Sequence, residues 1–194
     1  ESLEALREPL EEGKVTISRA RGTISYPAKF IMVAAMNPCP CGNYGNKDKQ
    51  CICKSSDIEK YERKISGPIM DRIDMWVQVS NIAYKDLSNK VSGTSTTAAK
   101  SLVNSARSII KNRFESDTKL NRDMNAKDLE KFASLNDEVR NTLDTLAKQL
   151  SLSPRSYHRV HRLARTIADL DNSENINVNH IIEAFQYRPK IGQR

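Results

Sequence analysis

The hydrophobic period changes once along this chain, and no other sequence feature constrains the fold as strongly. Through residue 80 the apolar residues fall in short β-rich or continuous runs; beyond residue 97 they recur every three to four positions. A continuous apolar run of strand length is the pattern of a strand buried on both faces, whereas the i, i+3, i+4 pattern is that of an amphipathic helix. The polar stretch "NKVSGTSTT" (89–97) lies between the two regimes and reads as a linker. The expected architecture is α/β followed by all-α, with an α/β part at 1–88, a linker at 89–97 and a helical part at 98–194.

The α/β part opens on Leu3, Leu6 and Leu10 at helical spacing, with Gly13 placed to end the helix. "KVTISRA" and "GTISYPAKF" read as two strands of a hairpin, with Arg21-Gly22 at its tip. "FIMVAAM" (30–36) predicts a buried strand, "SDIEKYERKIS" a short helix capped by Ser56 or Asp57, and "MDRIDMWVQVS" a second apolar strand. In the helical part, Ala99, Leu102, Val103, Ala106, Ile109, Ile110 and Phe114 form one apolar face. Leu129, Phe132 and Ala133 mark a second helix, and Val139, Leu143, Leu146, Ala147 and Leu150 a third. Ser153-Pro154 is an N-cap followed by proline at the first helical position, and it opens a fourth helix with Tyr157, Val160, Leu163, Ala164 and Ile167 inward. Asn179 caps a fifth, with Ile181, Ile182 and Phe185.

Composition excludes some classes. The 194 residues are 38% hydrophobic and 28% charged, the balance of a globular protein. No apolar run approaches a membrane span and no stretch reads as a signal peptide, so the expected compartment is the cytoplasm. The net charge of +7 is uneven: residues 1–80 carry 12 Lys/Arg against 11 Asp/Glu, and residues 81–194 carry 19 against 13. A basic second half suits either a polyanion partner or an ordinary solvated surface.

All four cysteines lie in "NPCPCGNYGNKDKQCICK" (37–54), as two Cys-x-Cys pairs, Cys39/Cys41 and Cys51/Cys53. A reducing compartment argues against structural disulfides. Four thiolates in one short loop suit a tetrahedral zinc site, which would staple a Gly/Asn-rich segment with little to bury. Reduced unligated thiols and a disulfide in oxidised protein are the two other readings. No His or Cys has a base partner that suggests nucleophilic catalysis. His158 and His161, at i and i+3, read as surface or packing residues.

"LEALREPLEEGKVTISRARGTISYPAKFIMVAAMNPCPCG", "YERKISGPIMDRIDMWVQV" and "LSPRSYHRVHRLARTIADL" resemble the magnesium-chelatase-like AAA+ ATPases of the ComM/YifB type. The sequence holds no G-x-x-x-x-G-K-[ST] and no apolar run ending in Asp-Glu. The resemblance therefore implies the C-terminal portion of an AAA+ P-loop ATPase core, after Walker B, followed by its helical lid domain. It also implies that the chain by itself does not hydrolyse ATP.

The resemblance assigns roles residue by residue. Asn37, after "FIMVAAM", matches sensor 1, which orients the attacking water; an amide both donates and accepts, as that task requires. Read without the family, Asn37-Pro38 starts a turn. Arg72 in "SGPIMDRIDM" resembles the arginine finger, which serves ATP bound to a neighbouring subunit. Asp71 and Asp74 flank it as candidate holders, and Arg63 is a weaker candidate for the same role. Arg155 matches sensor 2, and with Arg159 and Arg162 it follows i, i+4, i+7, a basic stripe. Arg19 and Arg21 flank the hairpin tip, where helicase-like AAA+ rings touch the nucleic-acid backbone; phosphate contacts need a placed cation and no base-reading edge. The implied function is an oligomeric ring ATPase, hexameric in expectation, that uses ATP and Mg²⁺ to remodel DNA, as in branch migration. The competing expectation is a chelatase-like subunit that remodels a protein partner without touching DNA.

Overall fold

A computed structural model describes residues 3–46, 48–79 and 93–189. The chain divides into two compact units, Glu1–Ile73 and Asp74–Arg194. Of the expected linker at 89–97, residues 89–92 lie outside the described residues, 93–95 are coil, and Thr96 and Thr97 already belong to the first long helix.

The first unit begins with a 3-10 turn, Glu4–Leu6, that runs into α1, Arg7–Glu12. Gly13 ends the helix at φ +63°, a left-handed cap that only glycine adopts without cost. Directly after it come β1, Lys14–Arg19, and β2, Gly22–Pro27, paired antiparallel with Val15 opposite Tyr26 and Ile17 opposite Ile24. The turn residues are Ala20 and Arg21, one position earlier than the sequence pattern suggested. Thr16 Oγ1 donates to Glu8 Oε1 at 2.5 Å, and Ala28 N donates to Gly13 O at 2.7 Å, so both ends of the hairpin are tied back to α1.

"FIMVAAM" does not join a sheet. Among the described residues β1 and β2 pair only with one another, and Ile31 and Val33 are 77% and 90% exposed. The same holds for 74–79, where Val77 and Val79 are 68% and 86% exposed. The reason is that a doubly buried strand needs a hydrogen-bonded neighbour on each side, and the described residues supply none. The coil of 37–54 is followed by α2, Ser55–Glu62, which starts two or three residues earlier than expected, with Lys54 at the cap position. The four-residue α3, Gly67–Met70, follows, and Ser66 Oγ accepts from Ile69 N at its start.

The second unit is helical. α4, Thr96–Phe114, is capped by Ser95, whose Oγ accepts from Ala98 N. A 3-10 turn, Asn121–Asp123, leads to α5, Ala126–Phe132, with a capping box of Asn125 and Asp128. α6, Asp137–Gln149, is capped by Asn136, and α7, Pro154–Leu170, by Ser153, whose Oγ accepts from Ser156 N at 3.2 Å. α8, Val178–Gln186, is capped by Asn177, so the cap lies two residues before the expected Asn179. Val139 and Leu143 of α6, Val160, Ala164 and Ala168 of α7 and Ile181 and Ala184 of α8 form one buried core. α4 contributes only its C-terminal half: Ala106 and Ile110 are buried, whereas Leu102 and Val103 are half exposed. Ile182 likewise faces out, at 44%.

Candidate functional site

The cysteine loop is folded by tight turns. Gly42 N donates to Cys39 O at 3.0 Å, and Gly42 and Gly45 adopt φ +79° and +78°. These turns bring four sulfurs, sequence positions 39 to 53, within 4.8 Å of one another. Cys39 Sγ lies 3.4 Å from Cys41 Sγ and 3.7 Å from Cys51 Sγ, and Cys41 and Cys51 are 3.6 Å apart. All four thiols are free. A disulfide needs about 2.05 Å, whereas a tetrahedron of Zn–S bonds near 2.3 Å has S···S edges of about 3.8 Å. The spacing is that of ligands around a common centre.

The thiols are not equivalent. Backbone N–H groups of Asn43 and then Ile52 aim at Cys41 and hold its thiol down at about 6. For Cys53 the Cys41 backbone N–H works in the same direction, but burial and the three neighbouring sulfurs carry it up to about 12. The Cys51 thiol is also raised: burial and the Cys41 and Cys39 side chains outweigh the lowering by the Cys53 backbone N–H. Ionisation is thus favoured at Cys41 and disfavoured at Cys51 and Cys53.

Asn37 stands at the foot of this loop with its side chain exposed. A Cβ built at Gly42 would lie 3.9 Å from both Asn37 Cγ and Nδ2, so the Asn37 amide packs along the glycine of the cysteine turn.

Arg72 is not presented to solvent. Its side chain is 10% exposed; Nη2 is ion-paired with Glu11 of α1, and Nη1 donates to Pro68 O at 2.6 Å. The flanking acid Asp74 engages Arg159 instead. Arg63 is exposed and pairs with Glu59 at 3.5 Å.

In the helical unit, Arg155 is exposed in the first turn of α7. The stripe it begins does not stay open. The Arg159 side chain is 12% exposed on Asp74, and Arg162 Nη1 donates to the carbonyls of Arg122 and Met124, both at 3.1 Å. His161 is buried, with Nε2 on Ala133 O at 2.7 Å, and burial lowers its pKa, so it is a neutral packing residue. His158 remains at the surface. Arg19 and Arg21 are exposed at the hairpin tip.

Two groups of residues were not singled out from the sequence. Glu11 is one; it lies 61 positions before its partner Arg72, and no local pattern links them. The other is a buried cluster around Asp169, which is fully buried and accepts from Arg113 through both oxygens, from Asn121 Nδ2 at 2.7 Å and from Arg165 Nε at 3.1 Å. Arg165 also donates to the carbonyls of Ser173 and Glu174. Arg165 and Asp169 at i, i+4 were the available signal.

Residues 1–87 match the family model "Magnesium chelatase, subunit ChlI", and residues 93–188 match "Magnesium chelatase, subunit ChlI C-terminal". The chain belongs to this magnesium-chelatase-like family of AAA+-type ATPases, and specifically resembles its ComM/YifB members. It is 37% identical over 190 residues to the competence protein ComM of Haemophilus influenzae, covering 97% of this chain and 36% of that protein. It is 38% identical over 189 residues to the uncharacterized protein YifB of Escherichia coli, covering 96% and 36%. To YifB of Salmonella typhimurium it is 36% identical over 190 residues. The chain thus spans about a third of the length of the curated relatives it matches. Among the described residues no helix is long and apolar enough to cross a membrane.

Proposed function

We propose that this chain is the post-Walker B portion of an oligomeric cytoplasmic AAA+ ATPase that couples ATP hydrolysis to DNA remodelling. Residues 1–88 supply sensor 1 (Asn37) and the trans arginine (Arg72), and residues 98–194 form the lid with sensor 2 (Arg155). ATP and Mg²⁺ belong to the assembled enzyme, a ring of six in this reading. Cys39, Cys41, Cys51 and Cys53 hold one structural zinc, and the loop they staple steadies the backbone at Asn37. Zinc would supply rigidity here and no reaction chemistry, because four thiolates leave no open coordination position.

The observation that carries the DNA reading is the hairpin. All residues of β1 and β2 are exposed, and its tip carries Arg19 and Arg21. Arg159 and Arg162 are the weaker part of the DNA surface, since Arg159 is already engaged by Asp74 and Arg162 by backbone carbonyls. One observation favours the protein-remodelling alternative: Val15, Ile17, Ile24 and Tyr26 share one face of the same hairpin, a surface suited to an apolar partner.

One experiment separates the two. In the full-length ATPase, the double variant Arg19→Ala/Arg21→Ala should lose most DNA stimulation of ATPase and show a shallower salt dependence of DNA binding, because fewer counterions are released. Basal hydrolysis should persist. An unchanged salt slope and full DNA stimulation would remove the hairpin from DNA and leave it to a protein partner.

A further inference from the structure

The arginine matched to the trans finger is docked within its own unit, and the residue that docks it is Glu11. We infer that Glu11 is a positioning residue for Arg72: it holds the guanidinium in the unassembled subunit and exchanges it for the phosphate of a neighbour's nucleotide when the ring closes. This rests on the reading of Arg72 as the finger.

The geometry supports an exchange. A finger must touch phosphate on another subunit, yet the Arg72 side chain is 10% exposed. The Glu11 carboxylate accepts from Nη2 and the Pro68 carbonyl from Nη1. Both bonds have a charged donor, and the one to Glu11 adds the attraction of opposite charges. Carboxylate and phosphate both accept the planar fork of a guanidinium, so release from one to the other never strands the cation without an anion. The Glu11 side chain is 30% exposed and can be solvated once Arg72 leaves. Its placement is also informative. α1 ends one residue after Glu11, the β1–β2 hairpin begins at Lys14, and Glu8 of the same helix accepts from Thr16 of β1. The holder of the finger is therefore built into the base of the hairpin.

Holding the finger in cis lowers the fraction of subunits competent to complete a neighbour's site, and apparent assembly affinity falls by that fraction. Glu11→Gln keeps the side-chain shape and removes the charge. In the full-length ATPase it should lower the subunit concentration for half-maximal hydrolysis about threefold to tenfold, with the plateau rate unchanged. A merely structural role would instead lower the plateau or the melting temperature. The gain should vanish in Glu11→Gln/Arg72→Ala. If Glu11→Gln fails to fold, Glu11→Asp, which draws the charge back by one methylene, should shift half-saturation the same way by less. A Glu11 variant that is folded and has an unshifted curve, or a depressed plateau, overturns the inference while the finger reading stands. Full hydrolysis by Arg72→Ala alone overturns the finger reading itself.

Discussion

Cys39 has no exposed surface, although the segment around it is otherwise open. A buried thiol among three others has nothing to gain from water, and the cluster becomes stable as a unit when a cation neutralises it. Protein purified under reducing conditions is expected to carry about one zinc per chain by elemental analysis, since four sulfurs fill one tetrahedral site. Cys41→Ser should reduce the zinc content to near zero, because it removes one of four ligands and the thiol whose ionisation backbone N–H groups favour. Full metal retention by that variant would exclude a four-cysteine site. The same residue-scale logic governs the arginines. Arg72, Arg159 and Arg162 look alike in the sequence, but Arg72 is held by Glu11, Arg159 by Asp74 and Arg162 by two backbone carbonyls.

Among the elements, α4 and α7 are joined by charge as well as by apolar packing. Arg113 near the end of α4, Asn121 in the 3-10 turn, and Arg165 and Asp169 on α7 meet around one fully buried carboxylate. Removal of one member of a buried ionic group leaves its partners uncompensated and typically costs about 3–5 kcal/mol. Asp169→Ala strands two guanidiniums, one of them 3% exposed, and should fall in that range by chemical denaturation. A loss below about 1 kcal/mol would mean that water reaches the arginines and that the cluster adds little. The helices themselves were legible in the sequence because their signals are local. The Ser153-Pro154 start of α7 acts within one turn, and so does the glycine that ends α1. The misplaced caps, Asn177 for Asn179 and Lys54 for Ser56 or Asp57, are shifts of two or three residues within correctly located helices. The outward face of Leu102 and Val103 was not legible, since periodicity marks an apolar stripe and not how far along it a neighbour extends.

At the scale of the molecule, the two units are built on different terms. The helical unit has one continuous core from Met124 to Phe185. The first unit buries few apolar side chains, Cys39, Ile58 and Ile69 among them, and leaves Ile31, Val33 and Ile52 exposed. A unit with so little core needs a staple. Chelation of the proposed zinc should therefore open the first unit selectively. Limited proteolysis after chelator treatment is expected to cut between residues 37 and 54 while the helical unit stays intact. Equal loss of both units would show that the cysteine loop is not an independent clip.

What the sequence determined by itself is whatever acts across a few residues: the change of period, the hairpin, the helix starts and stops, and the four thiols in one loop. The proposed roles of Asn37, Arg72 and Arg155, which spacing alone does not carry, come from family resemblance. Only the tertiary structure decided which distant groups meet. It brought Glu11 to Arg72, Asp74 to Arg159 and Arg113 to Asp169, and it gathered the two Cys-x-Cys pairs so that all four sulfurs lie within 4.8 Å of one another. The physical reason is range. Caps and periodicity depend on backbone geometry within a turn or two, whereas an ion pair across 61 residues depends on the path of everything between, which no local pattern encodes.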